Sequence, residues 1–566
     1  MSTNRVAAIP EAFGDVDEHA EQIWVPMADG VRLATDLYLP GWAGRGINGL
    51  SCVLVRLPYD KSAPFAFMAR LAAAFTERGY AFVAQDTRGR ARSEGETFAF
   101  VHEVDDGAAT LDWLTAQPWS DGTVGMFGDS YYGWTQWAAV ASGHPALRAI
   151  VPRVTSVEIG SDWRQIGGVF NAYQFVEWAA GTWVDNPNYE CELDWSVRPL
   201  ADVQAAAHGG RRSRSLDTWI ETPGDSPWWW DSVYAGRGDP RKLLRIPVLY
   251  SGGWWDVFRR GQVRDFGSTH GRLQGQHLVM GATDHFDDWL REPGAPPFVD
   301  FIEDSEEMER WLPAYVGPAI AFFDRYLRGS DTTPIPPVRW FCANDGWRHA
   351  PSWPPPDARE VSLHMTGAAL EDAEGGTLAE ARGSAGSWVR WAHDPLDPVP
   401  DGIDDAWRSL VALPDERTVE ARPDVATFSG DVLTRPLDLA GPVVAHLRVS
   451  STAPSTHATA KLVDVAPDGR AQRIVEGIAH VGATGDPDEA HTVEVDLGPT
   501  GYRLEVGHRL RMEIGASDFP RFAVHPGTND DPMLATSVRP SGQGLRVGGA
   551  EGSFVSFHVL EPNEPT

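Results

Sequence analysis

Residues Val124-Gly125-Met126-Phe127-Gly128-Asp129-Ser130-Tyr131-Tyr132-Gly133 run from a short apolar stretch through a Gly-Asp-Ser turn into apolar residues of helical period. The pattern predicts strand, sharp turn and helix with a serine at the apex, the setting in which a nucleophile elbow lifts Oγ clear of a sheet. Glycine suits such a turn because backbone approaches backbone where a Cβ would clash. The common form is G-x-S-x-G; here Tyr132 takes the place of the second glycine, with Gly133 one position later. Taken alone, a Gly/Ser turn without chemistry satisfies the same residues.

On the N-terminal side, 25–40 alternates about Asp29-Gly30 and reads as an antiparallel hairpin with a two-residue turn. A buried strand at 52–56, an amphipathic helix at 65–78 stopped by Gly79, and a second buried strand at 80–85 make a β-α-β unit. The pattern repeats with a helix at 106–116, a strand at 124–128, a helix at 131–142 and a strand at 149–154. Such alternation predicts an α/β core, a mainly parallel sheet with helices on both faces. Over 157–245 the alternation fades and aromatics accumulate, among them Trp163, Phe170, Trp178, Trp219 and Trp228-Trp229-Trp230, so an inserted, mostly helical cap is expected. Strand signals resume at 246–251 and 277–281, and 311–327 makes a last long helix. Beyond the Pro-rich loop 329–337 the texture changes to short alternating runs, such as 443–449, 459–465, 492–497 and 509–514, which indicate an all-β sandwich or jelly roll.

The bulk properties agree with several domains, since 566 residues exceed the roughly 250–300 at which one core stops growing. With 48 Lys and Arg against 79 Asp and Glu, the net charge of -31 repels phosphate backbones and anionic lipid heads. No nucleic acid or membrane partner is expected, and solubility is the plain reading of the acidity. Cys52, Cys191 and Cys342 are odd in number, far apart and without zinc spacing, so free thiols in a reducing compartment are expected. The first ten residues lack an apolar signal region, and no run approaches the roughly 18 apolar residues of a membrane span. A cytoplasmic location follows as the expectation.

A serine needs a base to accept its proton and a third group to orient that base. In an α/β hydrolase these follow in the order Ser, acid, His. Asp256, in Gly252-Gly253-Trp254-Trp255-Asp256, and His285, in Gly281-Ala282-Thr283-Asp284-His285, each stand just past a resumed strand, the edge where open parallel sheets build their sites. Asp284, Asp287 and Asp288 crowd His285, but an orienting carboxylate should come from a separate strand end, which favours Asp256.

At this point the chain resembles the family that joins bacterial cocaine esterase, α-amino-acid ester hydrolases, glutaryl acylases and Xaa-Pro dipeptidyl-peptidases. The elbow G-x-S-Y-x-G is similar to that family's variant. Arg56-Leu57-Pro58-Tyr59-Asp60-Lys61 resembles its R-x-P-Y-x-K segment, and Gln85-Asp86-Thr87-Arg88-Gly89-Arg90 with Ser93 and Gly95 its D-x-R-G-x-x-x-S-x-G. Ala460-Lys461-Leu462-Val463-Asp464-Val465 and Gly507-His508-Arg509-Leu510 through Ser517-Asp518-Phe519-Pro520-Arg521 resemble its sandwich signature.

The resemblance implies an α/β-hydrolase domain at 1–156 and 246–332, a helical cap at 157–245 and a C-terminal jelly-roll sandwich at 338–566. It implies a serine esterase or acyl hydrolase with Ser130, Asp256 and His285 as catalytic residues and an oxyanion hole made by the Tyr59 hydroxyl and the Tyr131 N–H. Two such donors suit the charge of a tetrahedral intermediate. No metal or organic cofactor is required, the partner is a small ester or amide, and the sandwich can support a homodimer. Asp86 and Arg88 are expected to brace the loop beside the elbow. Trp163, Phe170, Trp228 and Trp229 are the candidate aromatic walls for an apolar acyl group. Asp129 is expected to be solvated or hydrogen-bonded, pointing away from the pocket. A dipeptidyl-peptidase or α-amino acylase on the same fold would need an acidic pocket for an ammonium, for which Glu177, Glu190, Glu192, Asp194 and Asp225 are candidates. A carbohydrate-binding protein would account for the sandwich and leave the ordered Ser, Asp and His unexplained.

Overall fold

The computed structural model describes residues 15–41, 49–183, 192–291, 305–331, 333–367, 375–405 and 407–561. The first ten residues, Glu190 and Cys191 therefore lie outside the described residues. Strands β1 (Glu21–Pro26) and β2 (Arg32–Tyr38) form the expected hairpin. Its turn is wider than a two-residue connection: Met27 N–H donates to Val31 O, and Gly30 takes φ +88°. A left-handed glycine at the end of a three-residue loop is a common hairpin solution.

β3 (Leu50–Leu57) and β4 (Ala81–Asp86) are buried at every position and pair in parallel across α1 (Met68–Glu77). Continuous burial explains their unbroken apolar runs, because helices cover both faces of such a sheet. Then follow α2 (Glu103–Thr115), β5 (Ser120–Asp129), α3 (Ser130–Ser142) and β6 (Leu147–Arg153). From Tyr131 to Ala141 every residue of α3 is buried, with Trp134 and Trp137 among the largest fully enclosed side chains. A helix apolar all round belongs in a core.

Residues 157–245 hold a small ladder, β7 (Gln165–Ile166) with β8 (Val169–Phe170), and the helices α4 (Ala172–Trp183), α5 (Val203–Ala207), α6 (Arg214–Glu221), α7 (Trp228–Asp231) and α8 (Pro240–Leu243). The sheet resumes with β9 (Val248–Gly253), α9 (Arg259–Thr269), β10 (Gln276–Gly281) and α10 (Ser305–Tyr326). β11 (Val338–Cys342) and β12 (Gly346–Ala350) complete a mixed ten-stranded sheet in the order β1-β2-β4-β3-β5-β6-β9-β10-β11-β12.

This last hairpin, just past the boundary expected at 338, joins the first sheet. β11 pairs in parallel with β10, so 338–350 extend the first sheet. An edge hairpin alternates in and out as sandwich strands do, so the change of texture precedes the change of sheet. The remaining strands build an eleven-stranded, mainly antiparallel sheet that includes Leu437–Ser451, Thr456–Val465, His491–Leu504 and Arg509–Gly515, which contain the four runs read from sequence. It docks on the first half through Arg259, buried, whose guanidinium donates to Glu476 Oε1 at 2.9 Å and Leu497 O at 3.1 Å. Cys52 and Cys342 are buried free thiols. Among the described residues no helix is long and apolar enough to cross a membrane.

Candidate active site

The turn between β5 and α3 is strained in the way an elbow requires: Ser130 sits at φ +50°. A non-glycine residue there costs on the order of 1–2 kcal/mol and persists only where its surroundings fix it. Gln136 supplies part of that fixing, its amide donating to Gly128 O and Val151 O while its oxygen accepts from Val151 N–H at 2.9 Å. Both glycines have steric reasons. A Cβ on Gly128 would lie 2.1 Å from Cδ2 of Tyr132, whose ring fills the space beneath the turn. A Cβ on Gly133 would meet Arg153 O at 2.8 Å and Thr155 Cγ2 at 2.9 Å, so the second glycine stands where α3 crosses the end of β6. The Tyr131 ring is held away from the turn, its hydroxyl donating to Glu103 Oε1 at 2.8 Å and accepting from Phe100 N–H at 2.9 Å. That leaves its backbone N–H in the first turn of α3, at the positive end of the helix dipole.

Tyr59 follows β3 on the same sheet edge. Its hydroxyl accepts from Trp178 Nε1 at 2.9 Å and is hydrogen-bonded to Ser130. Burial pushes its pKa up to about 12, so it stays a neutral phenol that can donate. Lys61 pins this loop: its backbone N–H donates to Asp86 Oδ1 at 2.8 Å, and its buried ammonium lies 3.1 Å from Asp86 and 3.4 Å from Asp36. Arg56 pairs with Glu103 at 2.8 Å and with Gln85 at 2.7 Å, tying the strand before Tyr59 to the carboxylate that holds Tyr131. Arg88 spans Asp106 and Asp29. Asp86 thus braces the Tyr59 loop while Arg88 ties α2 to the turn of the first hairpin, and neither lines the cavity that Ser130 borders.

His285 Nδ1 lies 2.7 Å from Oδ1 of the fully buried Asp256. With Nδ1–H donating to that carboxylate, Nε2 carries the lone pair. The two loops are laced together, since Trp254 N–H donates to Gly281 O and Trp255 N–H to Thr283 O, both at 3.0 Å. Gly253 permits this approach: a Cβ there would sit 2.1 Å from Thr283 O. The neighbouring aspartates shape the His285 loop. Asp284 accepts the N–H groups of Phe286, Asp288 and Leu410, and Asp288 pairs with Arg408 at 2.8 Å.

Ser130, Tyr59 and His285 open on one cavity of about 490 Å³. Its walls include Phe67, Trp178, Phe286, Trp311 and Trp407, together with Glu177, Asp129 and Asp287. Burial, followed by the charge of Asp405, pushes Glu177 up to about 7, and its Oε2 is buried without a hydrogen bond. Among the described residues no group of three or more His, Cys, Asp or Glu is placed to hold a metal ion.

Of the four expected aromatic walls, Trp163 alone reaches the serine, lining a narrow apolar pocket beside it with Phe100, Trp134 and Phe258. Phe170 is buried against Phe175 and under the Arg164 guanidinium. Trp228 packs on Phe98 and Trp229, and Trp229 lines a separate small pocket with Tyr234. They supply core for the helices of 157–245, which composition could not separate from pocket wall. Trp178 belonged to the same aromatic-rich stretch, whereas Trp407 arrives from the C-terminal half and Trp311 from α10, with no local signal for either. Asp129 is hydrogen-bonded, to Arg153 at 2.8 Å and Tyr315 at 2.7 Å, yet it borders the cavity. Of the acidic candidates, Glu177 lines the cavity and Glu192, Asp194 and Asp225 do not.

Residues 29–287 match the X-Pro dipeptidyl-peptidase (S15 family) model, and 331–552 match the X-Pro dipeptidyl-peptidase C-terminal non-catalytic domain. Cocaine esterase from Rhodococcus sp. (strain MB1 Bresler) is 33% identical over 549 residues, covering 90% of this chain and 92% of that one. An α-amino acid ester hydrolase structure aligns over 99% of this chain and 100% of its own, with a TM-score of 0.75 at 24% identity. An aminopeptidase from a marine sediment archaeon, Thaumarchaeota archaeon, aligns over 99% and 100%, with a TM-score of 0.78 at 22% identity. Both structural likenesses concern the fold: an α/β-hydrolase-like domain followed by a β-rich one.

Proposed function

The chain belongs to the hydrolase family that unites X-Pro dipeptidyl-peptidases (S15) with cocaine esterase, and from that premise we propose that it is a serine hydrolase cleaving carboxylic esters through an acyl-enzyme on Ser130, with amides within reach of the same chemistry. The observation that carries this reading is one cavity bordered by a serine on a strained elbow, a neutral tyrosine hydroxyl, and a histidine whose Nδ1 lies 2.7 Å from a buried carboxylate. His285 Nε2 takes the proton of Ser130 as Oγ attacks the carbonyl carbon. The Tyr59 hydroxyl and the Tyr131 N–H stabilise the oxyanion. His285 returns the proton to the departing alkoxide, then activates water to release the acid and restore Ser130. Asp256 holds the imidazole and balances its charge.

In this reading 157–245 form a helical cap over the serine, and the eleven-stranded sheet is a jelly-roll sandwich beginning after 350. Acyl p-nitrophenyl esters compared with Gly-Pro-p-nitroanilide test the assignment. Ester turnover abolished by Ser130→Ala is the expected result. A clear preference for the anilide would sink the esterase reading, and turnover surviving Ser130→Ala would sink the mechanism.

One observation favours a second reading, a dipeptidyl-peptidase or α-amino acylase. Glu177 places a carboxyl, hydrogen-bonded to Trp407, in the wall beside Trp178, where a substrate ammonium would find charge and aromatic faces.

A further inference from the structure

Asp129, immediately before the nucleophile, is one end of a tie that spans the site. Its Oδ1 accepts from Arg153 Nε at 2.8 Å and its Oδ2 from the Tyr315 hydroxyl at 2.7 Å. Arg153, the last residue of β6, is buried, with its guanidinium centred 4.1 Å above the Tyr315 ring. Its NH2 forms an ion pair with Asp287, and its NH1 donates to Ser251 Oγ at 3.2 Å. Asp287 lies two residues beyond His285 and holds φ +62°. Such a backbone needs a contact to sustain it, and the ion pair with Arg153 is one. Ser251 sits on β9, the strand that leads to Asp256.

One planar group therefore joins the serine turn, the strand before the orienting carboxylate and the histidine loop. Three directed bonds in a plane are what a guanidinium offers and an ammonium does not. Asp129 and Asp287 border the substrate cavity, whereas Arg153 lies behind them against a second cavity of about 620 Å³.

We propose that Arg153 is a positioning residue for hydrolysis: through Asp129 on one side and Asp287 on the other it holds the His285 loop in register with Ser130, without touching substrate. The inference rests on the Ser130 mechanism given above. It also gives the carboxylate beside the nucleophile a role, because an aspartate there anchors the guanidinium and has its charge met by it.

The test is steady-state turnover of an acyl p-nitrophenyl ester by Arg153→Met, Arg153→Lys and Asp287→Asn, with Ser130→Ala as the reference and thermal unfolding as the check on folding. A displacement of about 1 Å in a reacting group costs on the order of 100-fold. Arg153→Met should lose roughly that factor in kcat with KM changed by less than about twofold, and Arg153→Lys should recover only part of it. Asp287→Asn, isosteric with the native residue, should lower kcat in the same direction with KM held, and it decides the matter if Arg153→Met fails to fold. Wild-type kcat in a folded Arg153→Met or in Asp287→Asn, or a loss confined to KM, overturns the proposal. Activity retained by Ser130→Ala would instead overturn the mechanism beneath it, so the two failures are distinguishable.

Discussion

Gly128 is the least replaceable residue of the elbow, because the space a Cβ would need is filled by the Tyr132 ring 2.1 Å away and its φ is +148°. Gly128→Ala should cost about 2–4 kcal/mol, overpacking and backbone strain together, read as a fall in the urea midpoint. An unchanged midpoint would show that the turn relaxes freely. The displaced glycine of the motif has the same kind of reason: Tyr132 is wanted under the turn, and the absence of a Cβ is wanted one residue later against Arg153 O. Across the cavity, Tyr59→Phe removes the hydroxyl and leaves the ring. It should lower kcat by about 10²–10³ with KM little changed, the loss typical of one oxyanion donor. Glu177 adds a pH signature. Its pKa is raised to about 7, so in the folded protein it becomes a carboxylate only as pH rises through 7. If it holds an ammonium, kcat/KM for an amino-acyl ester, relative to a neutral ester, should rise through that pH, and Glu177→Gln should flatten the ratio. A ratio independent of pH in the native protein would exclude that role.

At the scale of elements, the Tyr59 loop is held between two strands by one buried cation. Lys61 faces Asp86 and Asp36, so Lys61→Met leaves two buried carboxylates without their counter-ion. Breaking a buried pair in this way costs about 3–5 kcal/mol, and Lys61→Met should unfold at a correspondingly lower temperature than the wild type. Equal melting would mean that the carboxylates take up protons at little cost. The β-α-β units were legible because each signal was local: apolar runs at β3 and β4, the glycine stop after α1, the strand and turn before Ser130. The meeting of Asp256 with His285 was legible because both stand just past strand ends, where an α/β sheet gathers side chains. What joins those ends was not legible. Arg153 closes β6 as an ordinary charged residue would, and its partners Asp129, Ser251, Asp287 and Tyr315 are spread over nearly 190 residues of chain. The sheet that β11–β12 joins was not legible for a related reason, since alternation records that one face is buried but not which sheet it joins.

For the whole molecule, the two halves meet where the chain carries neutral histidines. His457 and His525 lie 5.0 Å apart and His525 and His480 6.2 Å apart by ring centres, and His480 N–H donates to Gly167 O in the turn between β7 and β8. Burial lowers the pKa values of His457, His480 and His393, and drives His525 down to about 4, with His480 and His393 adding repulsion. The unfolded chain takes up protons at these sites from pH 6.5 downward and the folded one only at lower pH. Stability present above pH 6.5 is therefore lost as pH falls toward 4, with His525 alone contributing on the order of 3 kcal/mol. Melting temperatures from pH 7 to 4 should fall, and His525→Asn should flatten the fall; an identical pH slope in that variant would remove His525 from the account. Assembly at this scale also explains why the cavity was only partly foreseen. Trp407 comes from the C-terminal half and Trp311 from α10, so the aromatic lining is a property of docking and not of any one segment. Whether Ser130 is the nucleophile of this cavity is decided by peptide mass spectrometry after reaction with an aromatic phosphonate: a single adduct on Ser130, absent from Ser130→Ala, is expected, whereas an adduct on another residue, or ester hydrolysis undiminished in Ser130→Ala, would refute it.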